Sequence, residues 1–322
     1  MSRDGLRLSV TLLSVLPESI VPAARPHDWR SAPDQADPAR AARAGRFRVA
    51  ASAELPGGLG GPPWGNAEPP VHEPQASAPR PATAGPSRPT AAEAMLWAPL
   101  VGLVLGMIAA AVLYVSGHLL HTGSLVAAVL AVGSLAVLSR GLHLDGLADL
   151  ADGLGSRRPA AGALEVMRRS DIGPFGVVTL VLTLLVQVAG LTQADAAGRG
   201  VPAVIVAAVT GRLAITWACR RGVPSARPDG LGAIVADSVA PVTATVLTGV
   251  ALAATVGGIF LAAAVAAVPV EWILPVALGA GLVVGVALGE HAARRLGGVT
   301  GDVLGAVSEA ATAACLLVTA MS

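Results

Sequence analysis

The chain has 322 residues, of which 53% are hydrophobic and 13% are charged. Soluble globular domains carry about 25% charged residues, so the composition excludes a disordered polar chain, argues against an ordinary soluble protein and indicates a membrane protein. The net charge of +1 gives no reason to expect nucleic-acid binding, and two distant cysteines, Cys219 and Cys315, support neither a disulfide framework nor a cysteine-based zinc site.

The N-terminal part differs in composition from the rest, because fifteen of the 24 prolines precede residue 95. Within residues 1–20, an apolar run at 6–16 is too short to span a bilayer comfortably and predicts an interfacial or packed helix, with a signal peptide as the alternative. Residues 21–94 show no helical or strand periodicity and bury too little apolar surface to offset the entropy lost on ordering. They are therefore predicted to be a disordered linker or insertion.

Apolar runs dominate residues 95–322, which we predict to be a membrane-embedded domain. The expected fold is all-α, a polytopic membrane bundle of about six or seven transmembrane helices. Several runs are shorter than the roughly 20 residues of a full span, so their number and limits stay open. Abundant glycine and alanine predict close helix packing. The candidate spans are Trp97–His118, Ser124–Leu138, Phe175–Thr192, Val201–Cys219, Val239–Ala266, Ile273–Leu288 and Ala306–Ala320.

The arginines predict the orientation of this bundle. If the chain enters from the cytoplasm, segments 139–174, 220–238 and 289–305 lie inside and hold ten of the twelve arginines beyond residue 95, whereas the outside segments hold only Arg199. Arg212 falls within a span and is expected to face the bundle interior or an interface. The other charges are expected at one interface, where both signs concentrate, and a simple membrane anchor would not need this arrangement.

The most informative polar segment carries Asp145, Asp149 and Asp152. On a helix their spacing places them within roughly 60° of one another, with leucines opposite, which predicts an amphipathic, Asp-rich cytoplasmic helix. The three carboxylates repel each other by a few tenths of a kcal/mol per neighbouring pair. Mg²⁺ would remove that cost, because it prefers oxygen ligands and bridges carboxylates to substrate phosphates. The segment therefore predicts a Mg²⁺–diphosphate site, and the alternative is a solvated acidic face paired with Arg157 or Arg158.

Most of the other residues near these aspartates that could take part in a site have two interpretations each. His143 is either a histidine at a helix entry or a general base or phosphate-side hydrogen-bond donor. Arg168 and its neighbour Arg169 are either phosphate ligands or a basic flank of a span. Gly173 belongs to a tight turn before the next span. The loop around Arg227, with its Pro-Asp-Gly sequence, is either a plain turn or a substrate contact.

The last polar segment is rich in glycine and leads into a helix. It carries Arg294 and Arg295, followed by Gly297, Gly298 and Gly301. Glycines allow backbone N–H groups to approach an anion, and the arginines add positive charge. Asp302 adds an oxygen ligand beside them. This segment therefore predicts a phosphate or metal contact at a helix N-terminus.

Together these motifs resemble the adenosylcobinamide-GDP ribazoletransferase (cobalamin synthase) family. The runs that carry the resemblance are Gly141–Leu154, Met167–Gly176, Ala226–Gly232 and Arg294–Gly305, with weaker likeness at Leu96–Gly106 and Leu6–Pro17. Residues 22–90 look like an insertion into a shorter family connection. The order Arg169-Ser170-Asp171 reverses the acid and base more usual in the family, which puts the role of Asp171 in doubt.

The resemblance implies an enzyme of the phosphotransferase class, with residues 95–322 as its catalytic domain. It would transfer the adenosylcobinamide-phosphate group of adenosylcobinamide-GDP to α-ribazole or α-ribazole 5′-phosphate and release GMP, with Mg²⁺ as cofactor. The implied location is the bacterial cytoplasmic membrane, with the site on its cytoplasmic face and lipid as a partner. A homo-oligomer or a complex with other cobalamin-assembly enzymes stays open.

The residues expected to form the site fall into three groups. The expected catalytic residues are His143, Asp145, Asp149 and Asp152. The expected metal ligands are Asp145, Asp149, Asp152 and Asp302. The expected substrate-binding residues are Arg168, Ser170, Gly173, Arg227, Arg294, Arg295 and Thr300.

Two alternative functions stay open. The first is another Mg²⁺-dependent membrane phosphotransferase or prenyltransferase, such as a CDP-alcohol phosphotransferase. That family needs an Asp-Gly-x-x-Ala-Arg arrangement, whereas here Asp145-Gly146 is followed by Ala148-Asp149 and the arginine is missing. The second is a transporter, which is disfavoured because the sequence shows no internal repeat and Arg212 is the one charge expected away from the interfaces.

Overall fold

The computed structural model describes residues 88–266 and 272–321, which form helices joined by turns and two isolated β-bridges. Within this part of the chain the all-α prediction is confirmed. The helix predicted in residues 1–20 and nearly all of the linker lie outside it. The helices are α1 (Arg88–Tyr114, extended by a π-helical turn Val115–Leu119), α2 (Ser124–Leu138), α3 (Leu142–Gly155), α4 (Ala160–Val166), α5 (Pro174–Ala196), α6 (Gly200–Ala218), α7 (Gly230–Val235), α8 (Pro241–Ala266), α9 (Ile273–Leu296) and α10 (Gly301–Thr319).

Helix α1 begins at Arg88, seven residues before the predicted linker boundary at 95. Residues 91–94 are Ala-Ala-Glu-Ala, which are strong helix formers. Pro89 lies in the first turn, where the missing N–H costs nothing. The change in composition at residue 95 therefore comes seven residues after the start of the helix.

Six described helices are long and apolar enough to cross a membrane, namely α1, α5, α6, α8, α9 and α10. Helices α2 and α3 pass the same test only as a pair, and they are bent by 87° relative to each other. The prediction of six or seven spans is therefore confirmed. Helix α2, predicted as a span of its own, has 15 residues. That is about 22 Å of helix against a hydrocarbon thickness of about 30 Å.

The centre of the bundle is built around α6 and α10. In the most apolar stretch of each helix, 72% of α6 and 61% of α10 is buried inside the protein, compared with 6% of α8. Helix α10 packs against α3, α5, α6 and α9, so it touches most of the bundle. Close approach depends on small residues, since a Cβ at Gly281 of α9 would lie 2.6 Å from the carbonyl oxygen of Ala311 in α10. The predicted close packing is thus confirmed.

The sharp bend between α2 and α3 sets the direction of the Asp-rich helix. Arg140 and Gly141 both have left-handed backbone conformations, with φ of 54° and 71°. Gly141 N donates a hydrogen bond to the carbonyl of Ala136 at 2.8 Å, which ends α2. Glycine adopts this conformation without a steric penalty. The chain therefore leaves the direction of α2 and enters α3 within three residues.

The three predicted inside segments meet at one end of the bundle. Arg295 donates to the carbonyl oxygen of Arg158, and Arg168 forms a 3.2 Å ion pair with Asp229. Arg199 lies at the other end, where its Nε donates to the carbonyl of Thr319 at 3.0 Å. The charged residues of the three inside segments therefore lie at one end, as expected. Arg212 is 6% exposed, which confirms that it faces the interior.

Candidate functional site

The candidate site forms where α3 crosses α10. A Cβ at Gly146 would lie 2.6 Å from the carbonyl oxygen of Asp302, and one at Gly305 would lie 2.9 Å from the Cα of His143. Two glycines, one on each helix, therefore allow the two backbones to touch. This crossing brings Asp302, which is far from the Asp-rich motif in sequence, beside Asp145 and Asp149.

The aspartates of α3 differ in exposure along the stripe. Asp145 is exposed, Asp149 is half-buried and Asp152 is buried. The pKa of Asp149 is raised to about 7, mainly by burial and then by the negative charges of Asp145, Asp302 and Asp152, while Arg227 opposes the shift. The carboxylates are therefore close enough to repel one another, and this cluster favours a bound cation.

Asp152 has a partner that the sequence did not reveal. Its carboxylate accepts hydrogen bonds from Gly173 N at 2.7 Å and Gly176 N at 2.9 Å. These amides belong to the N-terminus of α5, where N–H groups lack partners within the helix. A Cβ at Gly173 or Gly176 would lie 2.4 Å from an Asp152 oxygen, so both positions need glycine. Asp152 thus caps α5, and its predicted role as a metal ligand and catalytic residue stays a prediction.

Asp302 is held by residues of its own turn and of the loop between α6 and α7. Arg227 Nη1 lies 3.3 Å from Asp302 Oδ2, and Arg227 Nη2 donates to the carbonyl of Leu164 at 2.9 Å. Thr300 Oγ1 donates to Asp302 Oδ2 at 3.2 Å and accepts from Val303 N at 3.3 Å. Because it accepts from Val303 N, Thr300 is the N-cap of α10. It is 2% exposed, so it orients Asp302 from inside the protein.

The position of Arg227 depends on a short backbone pairing. Val299 N donates to the carbonyl of Pro224 at 2.9 Å, and Ala226 N donates to the carbonyl of Val299 at 3.0 Å. This bridge fastens the Arg227 loop to the glycine-rich turn before α10. Arg227 Nε is buried and has no hydrogen-bond partner among residues 88–266 and 272–321. The two terminal nitrogens of the guanidinium therefore make its described hydrogen bonds, to Asp302 and to the Leu164 carbonyl.

The other predicted phosphate ligands lie at the same end of the bundle but are more peripheral. Arg168 and Ser170 are exposed, and Arg168 pairs with Asp229. Arg294 lies 3.1 Å from Glu290, which also pairs with Arg220 at 2.7 Å. We call these groups, at the same end of the bundle as the carboxylates, the basic rim. The described contacts do not bring Arg294 or Arg295 against an aspartate of α3.

His143 does not lie among the carboxylates. It is 6% exposed at the start of α3, and its Nδ1 is 3.9 Å from Glu309 Oε1. Glu309 lies in the middle of α10, so the expectation that Arg212 is the one charge away from the interfaces was wrong. Glu309 could have been found in the sequence, because it is the one acidic residue in the predicted span Ala306–Ala320. Its partner Gln187 gave no comparable signal.

The donor set can be tested against Mg²⁺. Among the described residues, no group of three or more His, Cys, Asp or Glu side chains is placed to hold one ion. Mg²⁺ in enzymes commonly takes one or two carboxylates, keeps several waters and completes its shell with substrate phosphates. The two accessible carboxylates of α3 and the neighbouring Asp302 fit that pattern, whereas a site built from protein ligands alone does not.

Comparisons with known proteins agree with this geometry. The sequence profile of the family described as cobalamin-5-phosphate synthase matches residues 77–320. A protein of Frankia casuarinae named adenosylcobinamide-GDP ribazoletransferase is 43% identical over 246 residues, which cover 73% of this chain and 87% of the relative. Proteins of the same name from a Nocardioides species and from Sinorhizobium medicae are 41% and 35% identical, over 71% and 68% of this chain and 87% and 81% of theirs. No solved structure matches the chain. The chain therefore belongs to the cobalamin-5-phosphate synthase family.

Proposed function

We propose that this protein is a membrane-embedded adenosylcobinamide-GDP ribazoletransferase. It transfers the adenosylcobinamide-phosphate group of adenosylcobinamide-GDP to α-ribazole or α-ribazole 5′-phosphate and releases GMP. The family membership and the names of the relatives support this reaction. The observation that carries it in the structure is the convergence of Asp145, Asp149 and Asp302 at the crossing of α3 and α10, with Arg227 beside them.

The proposed reaction exchanges one phosphorus–oxygen bond for another. A ribose hydroxyl oxygen that is free in both α-ribazole and α-ribazole 5′-phosphate bonds to the phosphorus that carries adenosylcobinamide, and the bond from that phosphorus to the GMP oxygen breaks. In such transfers catalysis is mainly positioning and charge neutralisation. Two kinds of group could accept the hydroxyl proton, a carboxylate of α3 or His143. We assign it to a carboxylate of α3, because His143 is only 6% exposed.

The proposed cofactor is Mg²⁺, held by Asp145 and Asp149 with Asp302 beside them. When bound, it would neutralise the diphosphate charge and stabilise the departing GMP. Arg227 contacts Asp302 and would keep it oriented toward this site. Arg168 and Ser170, on the exposed rim, are proposed to meet the remaining phosphate charge.

The proposed location is the bacterial cytoplasmic membrane, with the carboxylates on its cytoplasmic face. The six to seven apolar helices support a multi-pass membrane protein. The arginines of the three inside segments gather at the end of the bundle that carries the carboxylates, and basic residues favour the cytoplasmic side. Lipid would surround α8, which is almost wholly exposed.

The test compares membranes that contain the wild-type protein, Asp145→Asn or Asp149→Asn. We expect both variants to insert normally and to release less than 1% of the wild-type GMP from adenosylcobinamide-GDP and α-ribazole. Glu165→Gln is the matched control, since Glu165 is an exposed acid near the same end, and it should retain full activity. Near-normal turnover in both aspartate variants would refute the site. Turnover of a CDP-alcohol in place of adenosylcobinamide-GDP would refute the substrate assignment.

A further inference from the structure

A second polar cluster lies inside the bundle, away from the carboxylates. It consists of His143 on α3, Gln187 on α5, Arg212 on α6 and Glu309 on α10, and we call it the inner polar cluster. His143, Gln187 and Arg212 are 6%, 3% and 6% exposed. Glu309 is eight residues from the start of α10, about 12 Å along the helix. Ionisable groups at such a depth are costly and mark functional positions.

The hydrogen bonds of the inner polar cluster leave two atoms unused. Gln187 Nε2 donates to Glu309 Oε2 at 2.7 Å, and Arg212 Nη1 donates to Ser308 Oγ at 2.8 Å. His143 Nδ1 and Arg212 Nε are buried and have no hydrogen-bond partner in the described ranges 88–266 and 272–321. The 3.9 Å separation of His143 Nδ1 from Glu309 Oε1 is too long for a direct hydrogen bond.

A small cavity is lined by the residues that carry these atoms. Its volume, counted as space for the centre of a water molecule, is about 20 Å³, and all four residues of the inner polar cluster line it together with Thr312. One water needs roughly 10–15 Å³ of such space and two to four polar partners. The side chains of His143, Arg212 and Glu309, all of which line the cavity, carry polar groups that could serve as such partners. A polar contact beyond about 3.5 Å between such groups is commonly bridged in this way.

The inner polar cluster also reaches the start of the Asp-rich helix. His143 is two residues before Asp145, and its backbone touches α10 at Gly305, one helical turn before Glu309. We propose that the inner polar cluster binds one water molecule through which Arg212 and Glu309 act as positioning residues, holding His143 and thereby the carboxylate of Asp145. This inference rests on the proposed role of Asp145.

The first test replaces both charges at once. Removing Arg212 or Glu309 alone would leave the other charge buried, whereas the double variant Arg212→Met/Glu309→Met replaces both by apolar side chains. We expect its melting temperature in detergent to match the wild type. Its KM for adenosylcobinamide-GDP should stay within twofold, and its kcat should fall at least tenfold. A wild-type kcat, or a kcat lost only together with the melting temperature, would overturn the inference.

A second test keeps every polar group and fills the cavity. Ala136→Val adds two methyl groups at a residue of α2 that lines the cavity. We expect an unchanged melting temperature and KM with kcat lowered at least fivefold, and an unchanged kcat would overturn the inference. Gly133→Ala, on the exposed face of the same helix, is the control. Asp145→Asn separates the two proposals: it is inactive if the proposed function holds, even when the cavity variants are fully active.

Discussion

Replacement of Asp152 by asparagine tests whether this residue holds helix α5 or a metal ion. The carboxylate accepts from Gly173 N and Gly176 N at once. Asparagine offers one oxygen, and its NH₂ group would face the second amide. A buried amide left without an acceptor costs about 1–3 kcal/mol. Loss of a negative charge at a helix N-terminus adds about 0.3–2 kcal/mol. We therefore expect Asp152→Asn to lower the free energy of unfolding by about 2–4 kcal/mol.

The assay combines thermal unfolding in detergent with GMP release at several Mg²⁺ concentrations. For a domain of this size, about 2–4 kcal/mol lowers the melting temperature by roughly 4–16 °C. Asp149→Asn is the comparison. Its raised pKa means that the ionised carboxylate weakens the folded state above the unfolded pKa, so neutralising it should leave the melting temperature unchanged or higher. A wild-type melting temperature for Asp152→Asn, with a higher Mg²⁺ requirement, would refute the capping role and support a metal ligand.

Three further predictions concern the crossing of α3 and α10. Gly146→Val should lower the melting temperature and abolish GMP release. The new Cβ would lie 2.6 Å from the Asp302 carbonyl oxygen, and such overpacking costs about 1–3 kcal/mol. Wild-type activity would contradict the contact. Arg227→Lys should lower kcat/KM about 10–100-fold, because one ammonium group cannot donate hydrogen bonds to both Asp302 and the Leu164 carbonyl. Arg221→Lys, at an exposed residue of the same loop, is the control. Because the pKa of Asp149 is about 7, protons compete with the metal, and the Mg²⁺ concentration for half-maximal rate should rise about tenfold from pH 8 to pH 6; a pH-independent value would contradict this.

The sequence predicted the elements whose signals are local. The spacing of Asp145, Asp149 and Asp152 predicted α3, and the apolar runs predicted every long span. The limits were less accurate, because alanine continues a helix beyond the apolar core of a span, as at the start of α1. The bend after α2 was missed, since a left-handed residue other than glycine, here Arg140, has no clear sequence signal.

The site was predicted in composition but only partly in arrangement. The common spacing of the aspartates suggested equal roles, yet Asp152 is the one whose oxygens serve the first turn of α5. That difference depends on Gly173 and Gly176, which lie 21 and 24 residues further along the chain. Likewise, Arg227 and Asp302 are 75 residues apart and meet through backbone pairing in loops. Periodicity reports which face a residue occupies and not which neighbour that face meets.

The cap that Asp152 provides for α5 connects the site to the bilayer itself. Only 22% of the most apolar stretch of α5 is buried in the protein, so most of that stretch is free to face lipid. A thinner or thicker bilayer changes the tilt of an exposed span. Because Gly173 N and Gly176 N at the start of α5 are bonded to Asp152, a change in that tilt would pull on α3. We therefore expect turnover in reconstituted vesicles to change with acyl-chain length.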